Sequence, residues 1–91
     1  MTVLSRAGGL SVSEMDGDLF LVRAETGEIY HLDPMAAGIW NALSEPASRD
    51  ELLELFAEAF PETAAATLAA DLDRALGDLS AGGLILETAP D

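Results

Sequence analysis

The 91-residue sequence has the length of a single domain, and its apolar fraction of 49% is enough for one packed core. Seventeen acidic residues face four arginines and no lysine, which gives a formal net charge of −13. This charge excludes binding to DNA or RNA through phosphate contacts, and it opposes binding to anionic membrane surfaces. Cysteine is absent, so disulfides and thiolate metal sites are excluded. With neither a membrane-spanning run nor a signal peptide in the sequence, we expect a cytoplasmic protein.

The first half of the chain has the pattern of an antiparallel meander. Alternation of apolar and polar residues predicts a strand over Leu10–Met15, and Asp16-Gly17 is a strong hairpin turn. A buried central strand follows over Asp18–Ala24. After a turn at Thr26-Gly27 the β-forming run Glu28–Leu32 predicts a third strand, at the edge of the sheet.

A helix is predicted directly after this third strand. Asp33 stands at the N-cap position and Pro34 at the first helical position, where its missing N–H costs nothing. One face of this helix carries four apolar residues at the spacing i, i+3, i+4, i+7: Ala36, Ile39, Trp40 and Leu43. Gly38 allows another element to approach closely. The segment is therefore a strand-to-helix corner anchored by the single tryptophan.

Two more helices are predicted in the second half. Ser48 and Glu51 form a capping box, and an apolar stripe with Phe56 follows them. Pro61 interrupts this pattern. A third helix is predicted from about Thr63 to Ser80, and Gly82-Gly83 supplies the glycines that commonly end a helix.

The two ends of the chain carry weaker patterns. Met1–Gly8 is predicted to be a loose lead-in, Leu84–Leu86 a short extended piece and Glu87–Asp91 a disordered tail. We therefore expect one domain, residues 1–91, with an ordered core of about residues 10–86. The predicted fold class is α+β and winged-helix-like: a three-stranded antiparallel sheet, then a three-helix bundle and a short terminal strand.

No constellation of catalytic residues stands out. His31 is the only histidine and is interpreted as a strand residue rather than a metal ligand. Asp71, Asp73 and Asp78 on the third helix lack a calcium-binding loop, and we interpret them as a solvated face. The sequence predicts a protein that is not an enzyme and has no metal or cofactor.

The corner segment and the third helix resemble the PqqD-like peptide chaperones, also described as recognition elements for ribosomally synthesised, post-translationally modified peptides. In the corner the matching residues are Gly27, Ile29, Tyr30, Leu32, Asp33, Ala37, Ile39 and Trp40. In and after the third helix they are Leu68, Asp71, Leu72, Leu76, Leu79, Gly83, Leu84 and Ile85. The resemblance extends over about Leu10 to Leu86.

The resemblance implies a non-catalytic chaperone that binds the leader segment of a precursor peptide. It implies that the leader adds as a further strand to the third predicted strand, beside the third helix, and is presented to a radical SAM enzyme, a peptidase or a cyclase. The residues that would contact the peptide are Glu28, Ile29, Tyr30, His31, Leu32, Leu68, Asp71, Leu72, Arg74 and Ala75. Asp71, which falls on the family's Leu-x-x-Asp-Leu pattern, would read a basic leader residue. Arg74 would read an acidic one; the alternative, favoured by its i, i+4 spacing to Asp78, is a solvated surface charge.

One departure leaves the natural product undetermined. Members devoted to pyrroloquinoline quinone often carry Asn where this chain has Asp33, whereas the Ile39-Trp40 pair resembles partners of lasso-peptide maturation. The alternative function is an acidic winged-helix module for protein–protein contact outside peptide maturation. A precursor gene and a maturation-enzyme gene beside this one would favour the first function over the second.

The charge of the third helix generates a first prediction. A winged-helix protein that binds DNA needs a basic recognition helix, and here that position holds Asp71, Asp73 and Asp78 against Arg74 alone. We expect no binding to duplex DNA at low micromolar protein in an electrophoretic mobility assay. A salt-sensitive shift of the duplex would contradict this.

Overall fold

Two small antiparallel sheets and three helices make up the computed structural model, which describes residues 2–88. In chain order the elements are β1 (Val3–Arg6), β2 (Leu10–Met15), β3 (Asp18–Arg23), β4 (Ile29–Leu32), α1 (Pro34–Ala42), β5 (Ala47–Ser48), α2 (Arg49–Ala59), α3 (Ala65–Ala81) and β6 (Ile85–Thr88). The predicted α+β class, with three antiparallel strands before three helices and a short final strand, is confirmed.

The predicted meander is the larger sheet, in the order β2-β3-β4. Its first turn is Asp16-Gly17, where both residues have positive φ, 54° and 83°. These values are typical of the two-residue turn that matches the twist of paired strands. The third predicted strand is β4, which has a neighbour in the sheet only at β3. The meander therefore ends in an edge strand, as the sequence predicted.

The second sheet was not predicted, and the expectation of a loose lead-in over Met1–Gly8 is wrong for its middle part. Val3–Arg6 forms β1, the central strand of a sheet with the order β5-β1-β6. The first strand is thus held by the last one, with Arg6 opposite Ile85. Glu87 and Thr88 belong to β6 rather than to a disordered tail, whereas 89–91 lie outside the described residues.

Local capping explains where the first two helices begin. Asp33 accepts a hydrogen bond from the backbone N–H of Ala36 at 2.8 Å, and Pro34 opens α1. The capping box of α2 is present, with reciprocal bonds between Ser48 and Glu51. Both caps satisfy backbone donors that a helix leaves unpaired at its N-terminus. By contrast α3 begins after Ala64, which provides no side-chain cap.

The core lies between the inner face of the meander and the three helices. It contains Leu21 from β3, Ile39 and Trp40 from α1, Leu52 from α2 and Leu72 from α3, all at most 3% exposed. Because an ideal Cβ on Gly38 would lie 2.9 Å from the ring of Phe56, this glycine does allow close packing of α1 on α2, as predicted.

An arginine side chain from β1 binds the C-terminal end of α1. The guanidinium of Arg6 donates two hydrogen bonds, of 2.9 and 2.7 Å, to the carbonyl oxygen of Trp40 near the end of α1. The same group lies 4.6 Å from the centre of the Trp40 ring. A cation at the C-terminus of a helix binds carbonyls that lack helical partners, and it interacts favourably with the negative end of the helix dipole. Trp40 thus contacts β1 as well as the core.

We expect Trp40→Ala to abolish stable folding at 37 °C. Truncation of a buried aromatic side chain costs about 3–5 kcal/mol, a large fraction of the stability of so small a domain. Urea unfolding followed by circular dichroism measures this. Phe60→Ala is a suitable control, because Phe60 is also aromatic but 48% exposed, and its loss should be small. A well-folded Trp40→Ala protein that has lost only peptide binding would show that Trp40 acts as a binding residue instead.

Candidate functional site

The free edge of β4 is the feature on which the candidate site is built. The backbone N–H of Arg23 donates to the carbonyl of Glu28 at 2.9 Å, which fixes the phase of pairing between β3 and β4. Hydrogen-bonded and non-hydrogen-bonded pairs alternate in an antiparallel ladder. The β4 residues whose backbone N–H and C=O groups hydrogen-bond to β3 are therefore Tyr30, opposite Leu21, and Leu32, opposite Leu19.

The other two residues of β4 direct their backbone groups away from the sheet. By the same alternation the N–H and C=O groups of Ile29 and His31 point outward from β3. Their side chains lie on the outer sheet face, where Ile29 is 67% exposed and the His31 side chain 53% exposed. Edge strands are commonly protected against pairing with another chain by short length, charged side chains or proline. Of these features β4, with the sequence Ile29-Tyr30-His31-Leu32, has the short length. Four backbone groups are therefore available to a further strand.

A groove runs along this edge, between β4, α1 and α3. Its cavity volume is about 320 Å³, and its walls are formed by Ile29, Tyr30, His31, Leu32, Asp33, Ala36, Ala75, Asp78, Leu79 and Leu84. All four residues of β4 thus line it. The corner at Asp33 brings α1 under the strand, which is why Ala36 is part of the wall.

The structure brings some of the predicted site residues together and separates others. The predicted β4 residues and Ala75 line the groove, and Glu28 lies next to it, accepting a 3.1 Å hydrogen bond from the Tyr30 hydroxyl. Leu68 and Leu72 lie in the core, at 2% and 0% exposure. Asp71 is half-buried and Arg74 is exposed, and neither lines the groove.

The groove uses the C-terminal half of α3 more than the sequence pattern indicated. Five groove residues are absent from the predicted set: Asp33 and Ala36 at the corner, Asp78 and Leu79 near the end of α3, and Leu84, which follows the glycine turn. Apolar spacing marks a whole helix face and cannot tell which turns meet the strand. The Gly82-Gly83 turn was the available signal, since the chain leaves α3 there and returns toward the sheet.

Arg23 lies beside the groove, between Tyr30 and the end of α3. Its Nη2 donates hydrogen bonds of 2.8 and 3.3 Å to the carbonyl oxygens of Gly82 and Gly83, at the end of α3. The guanidinium also lies 5.9 Å from the centre of the Tyr30 ring. One side chain of β3 therefore lies against Tyr30 of the groove wall and binds the C-terminal end of α3.

A larger cavity, about 660 Å³, lies elsewhere, between α3 and residues of β1 and β6. Arg49 and Asp73 border it and pair with each other, with Nη2 of Arg49 2.9 Å from Oδ2 of Asp73. The hydrogen bond from Arg49 holds the pKa of Asp73 below its usual value. These two charges already satisfy each other, whereas the β4 edge has unpaired backbone groups. We therefore assign the candidate site to the smaller groove.

The chemical character of the groove follows from its lining residues. Its acidic residues are Asp33 and Asp78, and it also contains the imidazole of His31, whose Nε2 lies 3.6 Å from Oδ1 of Asp18. Within residues 2–88 there is no group of three or more His, Cys, Asp or Glu side chains placed to hold a metal ion. Over the same range, no helix is long and apolar enough to cross a membrane. The chemistry on offer is backbone hydrogen bonding, apolar contact and negative charge.

The fold is similar to that of a solved peptide-binding protein. The structure described as TbiB1 in complex with the TbiA(beta) leader peptide superposes with a TM-score of 0.78 and 21% sequence identity. The match covers 94% of this chain and 99% of that chain. At this identity the similarity concerns the fold.

The sequence also matches a family model, that of coenzyme PQQ synthesis protein D, over residues 18–85. These residues include the meander from β3 onward, the corner and all three helices. The chain therefore belongs to the PqqD family, and the family resemblance described from the sequence is confirmed. No curated protein matches the chain.

Proposed function

We propose that this protein binds the leader segment of a ribosomally made precursor peptide and presents it to a modifying enzyme, without catalysing a reaction itself. The observation that carries the proposal is the open edge of β4, with the outward backbone groups of Ile29 and His31 beside a groove. Membership of the PqqD-like family supports it. The leader complex of TbiB1, which has the same fold, is consistent with it.

The leader would bind as a fourth strand of the meander. Its backbone pairs with the N–H and C=O groups of Ile29 and His31, which gives affinity with little demand on side chains. Side chains of a strand alternate between the two faces, so every second leader residue points toward the groove and α3. The apolar groove wall that would face these residues is formed by Ala36, Ala75 and Leu79, which also belong to the core and are 9%, 6% and 2% exposed. Specificity thus comes from side chains and register from the backbone.

Charge would favour a leader with basic residues at some positions. Asp33 and Asp78 line the groove, and the chain carries a net charge of −13. Such a field attracts cationic peptides and speeds their association. Asp71 and Arg74 remain predicted contacts to a basic and an acidic leader residue, at positions nearer the N-terminus of α3 than the groove residues.

The partner enzyme would be one that acts on the segment after the leader: a radical SAM enzyme, a peptidase or a cyclase. The rest of the precursor is covalently joined to the leader, so a leader bound on β4 tethers it to the chaperone. That part of the precursor does not pair with β4 and stays free to enter the enzyme. When the chaperone also contacts the enzyme, this tether raises the effective concentration of the substrate at the active site. No catalytic group of the chaperone is needed for that gain.

The test of this proposal is a proline substitution that removes one outward donor. His31→Pro deletes the N–H that pairs with the peptide but leaves the bonds of Tyr30 and Leu32 to β3 in place. As probe we choose a peptide selected from a random library displayed on phage against the wild-type protein. We expect His31→Pro to weaken binding by about tenfold, the effect of losing one backbone hydrogen bond that leaves its partner unpaired. Isothermal titration calorimetry measures the affinity.

Val12→Pro is the matched control. Val12 is also an exposed residue in the middle of an edge strand, β2, and its N–H points away from β3 by the same alternation. It should change affinity less than twofold. Amide chemical shifts of the wild-type protein should change most in residues 28–32 and 75–79. A library that yields no binder, or shift changes concentrated in Leu10–Met15 or α2, would contradict the proposal.

A further inference from the structure

Arg23 is the side chain that joins Tyr30, a residue of the groove wall, to the end of α3. It belongs to β3, yet its guanidinium reaches the last residues of α3, with Nη2 2.8 Å from the carbonyl oxygen of Gly82. Arginine is suited to this task because its fork of donors is planar and always charged. The bonds to Gly82 and Gly83 occupy carbonyls that the helix cannot pair at its C-terminus.

The surrounding residues are shaped around this guanidinium. Gly83 has φ of 71°, and an ideal Cβ at this position would lie 3.1 Å from Nη2 of Arg23. Tyr30 packs against the same end, with its ring Cε1 3.5 Å from the Cβ position of Gly82. The Tyr30 hydroxyl donates a 3.1 Å hydrogen bond to Glu28. Tyr30 therefore connects the turn between β3 and β4 to the end of α3. Glycines at the end of α3 thus let the arginine and the tyrosine fit closely.

We propose that Arg23 is a positioning residue that sets the width of the peptide groove. This inference rests on the proposed function. A bound strand must pair with the β4 backbone and at the same time place its side chains against α3. Both contacts form together only if the distance between β4 and the end of α3 is fixed before binding. A preorganised groove loses less conformational freedom on binding and so binds more tightly.

Arg6 is a control for Arg23, because its guanidinium makes the same kinds of contact elsewhere in the molecule. Its guanidinium also donates two bonds to a carbonyl near a helix C-terminus, that of Trp40, and also lies over an aromatic ring. It belongs to β1, and its aromatic partner Trp40 does not line the groove, whereas the aromatic partner of Arg23, Tyr30, does. Removal of either arginine therefore deletes the same kind of interaction, but only Arg23 joins β4 to α3.

The first measurement needs no peptide. Because the sequence has no cysteine, spin labels can be placed by Glu25→Cys, in the turn before β4, and Ala81→Cys, at the end of α3. Both positions are exposed. Double electron–electron resonance should give a narrow distance distribution for the parent protein and for Arg6→Ala, and a broader one for Arg23→Ala. Equal widths for the two variants would overturn the proposal.

The second measurement is affinity for the library-selected peptide, at a temperature where circular dichroism shows all variants folded. We expect Arg23→Ala to lose about tenfold in affinity, because the order that its charged hydrogen bonds give the free groove must then be supplied on binding, and Arg6→Ala to stay within twofold of the wild type. Arg23→Lys should recover part of the loss, since its ammonium group can still donate to Gly82. An Arg23→Ala affinity equal to that of Arg6→Ala would overturn the proposal.

The two measurements separate this inference from the proposed function. If the wild-type protein selects no peptide but Arg23→Ala broadens the distance distribution, the peptide-binding function fails and the structural role of Arg23 stands. If peptide binds at β4 but neither the width nor the affinity depends on Arg23, the function stands and the role of Arg23 is overturned.

Discussion

The strand-to-helix corner at Asp33-Pro34 is the constraint on which the rest of the structure depends. Because Asp33 caps α1 and Pro34 occupies its first position, the chain cannot continue as a strand or turn back to add another one. The meander stops at β4, and its last edge stays open. The same corner places Ile39 and Trp40 in the core, so folding the domain and leaving β4 unpaired follow from the same residues.

The second constraint is the scarcity of cations. Neither α1 nor α3 has a basic residue in its last turn, although both end with carbonyls that favour one. Arginines from the two sheets fill these positions, Arg6 for α1 and Arg23 for α3. Arg49 pairs with Asp73, which leaves Arg74 as the one exposed arginine outside these contacts in residues 2–88. An acidic domain thus uses its few arginines mainly to join helices to other elements.

How much could be predicted from the sequence differs between local and distant features. Asp16-Gly17, the capping box at Ser48 and the corner at Asp33 are signals carried by neighbouring residues, and each of the elements that they predict is present. β1 is different. Its four residues have no alternation, and it is held by pairing with β6 at the other end of the chain. A strand whose stabilisation is this distant in sequence leaves no local pattern.

The site shows the same division. The β4 residues were found because strand, turn and edge are encoded locally, and β4 does line the groove. The position of the groove along α3 was not encoded in that way, since apolar spacing repeats over all 17 residues of the helix. It depends on tertiary contacts, above all those of Arg23 with Gly82 and Gly83, which no spacing rule contains.

Amide hydrogen exchange at single residues tests the central claim, strand addition at β4, most directly. In the free protein the amides of Tyr30 and Leu32, which pair with β3, should exchange slowly, and those of Ile29 and His31 should exchange fast. Saturation with the selected peptide should slow exchange at Ile29 and His31 specifically. If peptide binding leaves these two amides unprotected while other amides of the domain become protected, the peptide binds elsewhere and the account is wrong.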